Sequence, residues 1–184
     1  MKKIVFLLEE PSMKEFLDEF LPRIIPGQDF ICIKHEGKQD LEKSIPRKLR
    51  AWQEVHFVII RDNDGAQCQI VKERLRSLCK QAGRPDALIR IACQELESWY
   101  LGSLAALSCA YSRPKLALLS RQAKYRDPDH LANPSGELSR MIPGFRKIEG
   151  ARRMGKAMPI NENENRSRSF RIFVQGIQKL SSPQ

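Results

Sequence analysis

Four short apolar runs divide the first half of the chain: Ile4-Val5-Phe6-Leu7-Leu8, Phe30-Ile31-Cys32-Ile33, Val55 to Ile60, and Ala87 to Ala92. Unbroken apolar runs of this length are expected of strands covered on both faces, as in a parallel sheet. Between them, apolar positions recur at helical spacing. Phe16, Leu17, Phe20, Leu21 and Ile24 follow Pro11, a residue suited to a first helical turn. Residues 38–52 predict a second helix, with Pro46 placed to kink or interrupt it. Val71, Leu75 and Leu78 share one face of a third, which Gly83 and Pro85 stop, and Leu96, Trp99, Tyr100 and Leu104 mark a fourth. The predicted order over residues 1–112 is β-α-β-α-β-α-β-α. That is an α/β, Rossmann-like core with a mostly parallel four-stranded sheet. Residues 113–184 read as a basic helical extension packed on that core. Phe170, Phe173, Val174, Ile177 and Leu180 form its clearest apolar stripe, with Ser167 or Ser169 as its cap. The polar stretch Asn161 to Asn165 reads as an exposed loop.

Length and composition narrow the class. A chain of 184 residues with 41% hydrophobic positions can bury a core, and it is too apolar for a disordered segment. No apolar run approaches the roughly 18–20 residues of a membrane span. The first run ends at Glu9-Glu10, short of the roughly 7–15 apolar residues of a secretory segment, so a cytoplasmic location is expected. The five cysteines are odd in number and lack any CxxC pair. The expectation is small core residues rather than disulfides or structural zinc. His35, His56 and His130 are scattered and suggest no metal site.

The net charge of +10 is unevenly spread. Residues 1–112 hold 17 Lys/Arg against 16 Asp/Glu, whereas residues 113–171 hold 14 against 6. A basic surface concentrates phosphate-bearing partners, but charge alone fits a solvated face equally well.

The acids supply a site to go with that charge. Glu9 and Glu10 close the first strand, Asp62 and Asp64 close the third, and Glu95 and Glu97 follow the fourth. In a parallel sheet these strand ends share one rim, where ligands bind near the reversal of strand order. Crowded carboxylates repel one another, and a hard divalent cation with oxygen ligands relieves that repulsion. Each element also has a plain explanation: a helix start at Glu10-Pro11, a turn at Asp62-Asn63-Asp64-Gly65, and first-turn acids at Glu95 and Glu97. Their common placement at strand ends favours a site.

Leu7-Leu8-Glu9-Glu10-Pro11-Ser12 and Ile59-Ile60-Arg61-Asp62-Asn63-Asp64-Gly65 resemble the two signatures of Toprim domains, a glutamate after the first strand and Asp-x-Asp after a later one. The segment Ile91 to Leu101 and Arg166-Ser167-Arg168-Ser169-Phe170 resemble a small stand-alone group of bacterial Toprim-like proteins related to OLD-type nucleases. One departure is Glu10, where many Toprim domains carry glycine. The resemblance implies Mg²⁺- (or Mn²⁺-) dependent phosphodiester chemistry, with a nuclease as the favoured activity. Glu9, Asp62 and Asp64 would be catalytic and metal-holding, and Glu95 or Glu97 would complete a second metal site. It also implies nucleic acid as substrate and an ATPase as a partner in defence or mobile-element biology.

Among the cations, Arg61, Lys147, Arg152, Arg153 and Lys156 are the candidates for gripping nucleic acid, with Arg146 beside them; Phe145 reads as core. Two other functions stay open. A non-catalytic nucleic-acid-binding or partner subunit would share the basic surface. A receiver-like phosphoacceptor would share Glu9, Glu10 and Asp62, but it also needs a lysine after a fifth strand.

Overall fold

The computed structural model describes residues 2–182. The chain runs β1 (Lys3–Leu8), α1 (Pro11–Ile24), β2 (Phe30–Lys34), α2 (Lys38–Ala51), β3 (Val55–Asp62), α3 (Cys68–Gln81) and β4 (Leu88–Ala92). It continues through α4 (Glu97–Leu101), α5 (Leu104–Ala110), α6 (Lys115–Leu118), α7 (Pro134–Met141), α8 (Lys147–Ala157) and α9 (Arg168–Ser181). No helix among the described residues is long and apolar enough to cross a membrane.

The four strands form one wholly parallel sheet in the order β2-β1-β3-β4. The chain therefore reverses direction across the sheet between β1 and β3. Right-handed crossovers then place α1 on one face and α2 and α3 on the other. The two apolar clusters follow this division. Val5, Leu7, Phe57 and Ile59 pack against α2 and α3, while Ile4, Phe6, Leu8, Val58 and Ile60 pack against α1 and the later helices. The period-2 alternation of a strand accounts for the split.

α1 covers only part of its face, and α4, α5 and the helices beyond residue 112 complete that cluster. Phe170, Phe173, Val174 and Ile177 of α9 are fully buried in the same cluster as β1 and β3. Trp99 stacks on Phe173 with ring centroids 4.9 Å apart. Burying each such side chain contributes about 1.5–3 kcal/mol. The helical extension thus shares the cover of one face of the sheet with α1 and α4. α8 lies along α1, where Arg23 Nη1 donates to the Gly155 and Met158 carbonyls at 2.8 Å each.

Several local expectations need revision. α2 continues through Pro46, which forgoes only one helical bond. The helix expected after β4 is two helices, broken at Gly102-Ser103. Asn165 is buried rather than exposed, and its Nδ2 donates to the Trp99 carbonyl at 2.9 Å. Only Cys32 and Cys79 are core residues; Cys68 and Cys93 are half-buried and Cys109 is exposed. Ser167 caps α9 by accepting from the Phe170 N–H.

Candidate functional site at the carboxyl rim of the sheet

The reversal point between β1 and β3 lies at the rim where the sequence puts its acids. Leu8 pairs with Ile60, so Glu9 leaves β1 level with the end of β3. There Glu9 Oε2 accepts the backbone N–H of Asp62 at 3.1 Å and faces Arg61 Nε at 3.7 Å. Alternation along β3 turns Arg61 toward α2 and Asp62 toward the α1 face. Arg61 Nη1 consequently donates to Glu42 Oε1 of α2 at 2.6 Å, its side chain only 9% exposed. This guanidinium braces carboxylates inside the molecule and has little surface to offer a substrate.

Asp62 is buried among acids. Burial, followed by the charges of Glu10, Glu9, Glu97 and Asp64, holds its carboxyl well above the usual range. Glu9 shifts the same way, first through burial and then through the charge of Asp64, with the Asp62 N–H and Arg61 partly offsetting. Glu97 opens α4 with its side chain 1% exposed, and burial pushes it up to about 7 although Lys147 Nζ stands 3.7 Å from its Oε1. Glu97 Oε2 is buried with no hydrogen-bond partner, and so is the neighbouring Tyr100 hydroxyl. Glu10 precedes α1 and accepts from Ser12 Oγ at 2.6 Å.

The loop after β3 is tightly specified. Asp64 and Gly65 both have positive φ, 48° and 76°, a conformation that aspartate tolerates and glycine adopts freely. Asn63 is buried and holds both sides of the turn: its Nδ2 donates to the Ala66 carbonyl at 2.6 Å and its Oδ1 accepts from the Gln94 N–H. The Asp64 N–H donates to the Gln94 carbonyl at 3.3 Å. Asp64 itself is exposed and pairs with Lys38 at 3.1 Å.

The structure separates the two glutamates after β4. Glu95 lies outside α4 and turns away, its Oε2 accepting the Ser135 N–H in the first turn of α7 at 2.9 Å. Glu97 faces the acids. Glu9, Asp62, Asp64 and Glu97 thus gather at one rim, with Glu10 beside them. Even so, among the described residues no three His, Cys, Asp or Glu side chains are placed to hold a metal ion as they stand. Lys38, Arg61 and Lys147 lie against the carboxylates as countercharges.

The remaining candidate cations are also paired. Arg152 Nε meets Glu15 at 2.5 Å and Lys156 meets Glu19 at 3.5 Å, joining α8 to α1. Arg153 bonds Glu149 and lies over Tyr111. Phe145 packs against Tyr111 and the core, as expected. Arg121, Arg126, Arg146 and Arg168 are exposed, and no carboxylate among the described residues pairs with them. Sequence reasoning missed Asn63, Lys38 and Tyr100. The signal for Lys38 was its place just after β2, on the same rim as the acids. Tyr100 carried none, because its register against Glu97 depends on how α4 packs.

Residues 8–178 match the family model described as a domain of unknown function, DUF4276, and the chain belongs to that family. Comparison with curated proteins and with solved structures gives no match.

Proposed function

We propose that this DUF4276 chain is a metal-dependent phosphodiesterase of the Toprim type, acting on nucleic acid. The observation that carries the reading is the meeting of Glu9 with Asp62 at the strand-order reversal, beside a buried Glu97 whose Oε2 has no partner. Folding alone does not favour several carboxylates crowded into one buried place, and an unpartnered carboxylate oxygen costs stability. The donors are all hard oxygens, which suits Mg²⁺ or Mn²⁺. The fit is chemical and needs side-chain movement, because Lys38 and Lys147 must withdraw before the carboxylates can turn inward.

Asp62, Asp64 and Glu97 are the residues to hold the ion. Once bound, it would polarise a non-bridging phosphate oxygen and acidify a water. Glu9 Oε2 is occupied by the Asp62 N–H, which leaves Oε1 to accept a proton from the attacking water. Arg168 lines a cleft with Asn63 and Gln94, and Arg146 adjoins Lys147. Neither has a carboxylate partner among the described residues, so these are the cations to neutralise a phosphate backbone, whereas Arg152, Arg153 and Lys156 already pair with carboxylates.

The test is Mn²⁺ titration by calorimetry together with cleavage of single- and double-stranded DNA and RNA, on the wild type and on Asp62→Asn. We expect binding and cleavage in the wild type. The variant should bind the ion at least 10-fold more weakly and lose cleavage while retaining nucleic acid. No binding at millimolar Mn²⁺ would sink the reading. Metal binding without cleavage would instead favour a subunit activated by a partner such as an ATPase, a second reading that the lysines lying in the acidic cluster support. A receiver-like role lacks its fifth strand among the described residues.

A further inference from the structure

Two thiols touch beside the loop that carries Asp64, and the proposed chemistry uses neither. Cys68 is the first residue of α3 and Cys93 the first after β4, and their Sγ atoms lie 3.2 Å apart. A disulfide of about 2.05 Å is within reach of small side-chain rotations from that separation. Both residues are half-buried, unlike the core thiols Cys32 and Cys79. Both also line two adjoining clefts of about 420 Å³ each, one bordered by Gln69, Lys72 and Ile172, the other by Asn63, Gln94 and His130. A small oxidant can enter either cleft.

The surrounding backbone gives such a bond a consequence. The Asn63 N–H donates to the Ala92 carbonyl at 3.2 Å, and Asp64 and Asn63 are bonded to Gln94 on both sides. The segment 63–67 is therefore tied to residues 92–94 at its start, while Cys68 marks its end. A bond from Cys68 to Cys93 would tie the end to the same place.

We propose that Cys68 and Cys93 form a redox-active pair, which peroxide converts into a disulfide that clamps the Asn63–Gln67 loop. The Cys68 sulfur attacks a peroxide oxygen and breaks the O–O bond, because burial pushes the Cys93 thiol up to about 12 and suits it to the second, resolving step. This gives a sulfenic acid, and the departing hydroxide takes the thiol proton to become water. The second sulfur then attacks the sulfenic sulfur, forms the S–S bond and expels hydroxide, which leaves as water with the second thiol's proton. Two electrons pass from the sulfurs to the peroxide, which ends as two waters. The pair stands independently of the metal reading, since no carboxylate takes part.

The test uses the reduced full-length protein and a few equivalents of hydrogen peroxide, followed by alkylation under denaturing conditions and peptide mapping. Of the five thiols, two should disappear, recovered as a single 68–93 cross-link, with Cys32, Cys79 and Cys109 still alkylated. Cys68→Ser and Cys93→Ser should each abolish the cross-link, and the wild-type map needs no variant to fold. Cleavage before Asp64 by an Asp-specific protease should slow at least several-fold in the oxidised form. A map in which Cys68 and Cys93 stay alkylatable, or in which Cys109 oxidises first, overturns the pair. Unchanged cleavage before Asp64 overturns the clamp.

Discussion

Replacing Glu97 by glutamine removes one buried charge and changes how stability follows pH. The Glu97 carboxyl titrates near 4.5 in an unfolded chain and at about 7 in the folded one, chiefly because burial penalises its charge. Lys147 pulls it down, Glu10 and Glu95 push it up, and the unpartnered Tyr100 hydroxyl lies among the same groups. Below pH 4.5 both states hold the proton, and Glu97 adds no difference. As pH rises through the window from 4.5 to 7, the unfolded chain gives up its proton first, so unfolding is favoured and stability falls. Above pH 7 the loss is complete, at about 3 kcal/mol, of which about 2.5 kcal/mol accrues between pH 5 and pH 8. The side chain is 1% exposed, so solvent screening does not discount that figure. Urea unfolding at pH 5, 6, 7 and 8, followed by the fluorescence of buried Trp99, measures it. Glu9 shifts in the same direction without help from Glu97 and cancels in the comparison, whereas Asp62 is raised partly by the Glu97 charge, so its relief in the variant adds to the gain at higher pH. Relative to the wild type, Glu97→Gln should gain about 2.5 kcal/mol across that range, or roughly 5–10 °C in Tm. Parallel stability curves would refute the buried-charge argument, and so would a wild type that gains on the variant as pH rises.

Two further predictions test how the helical extension is held. A Cβ at Gly176 would collide with the Arg90 guanidinium, whose Nε donates to the Ile172 carbonyl of α9 at 3.1 Å. Gly176→Ala gains up to about 1 kcal/mol of helix propensity but must push the Arg90 guanidinium off the Ile172 carbonyl. The net cost in urea unfolding should be about 0.5–2 kcal/mol, and an unchanged or raised midpoint would mean that α9 does not need this close approach. Ser169 Oγ accepts the Trp99 indole N–H at 2.8 Å and the Cys93 N–H at 3.3 Å, while donating to Asp129. Ser169→Ala leaves the buried indole unpaired and should cost about 1–3 kcal/mol, with a shift in tryptophan emission. Native emission and stability would show that Trp99 had found another acceptor.

The strands were readable because burial on both faces demands continuous apolar runs, as in Phe57-Val58-Ile59-Ile60. The rim at which Glu9 and Asp62 meet was readable too, because parallel strands must end on one side. The roles of Glu95 and Glu97 were not. Two residues apart at a helix start, they part company because Glu95 stops short of α4 and finds the first turn of α7, which lies some 40 residues on. The partners of the α8 cations were hidden for a related reason. Their spacing suggests a solvent-facing or phosphate-facing row, but Glu15 and Glu19 of α1 meet Arg152 and Lys156 across more than 130 residues of chain.

By itself, the sequence determined the layered α/β order and the crowding of acids at one rim. Both follow from local period and from the direction in which parallel strands point. Only the tertiary structure decided which acids face inward, which lysines neutralise them, and that α9 completes the sheet's cover. Those outcomes depend on how distant helices pack, and an ion pair or a buried charge exists only once two unrelated stretches of chain are brought within a few ångströms.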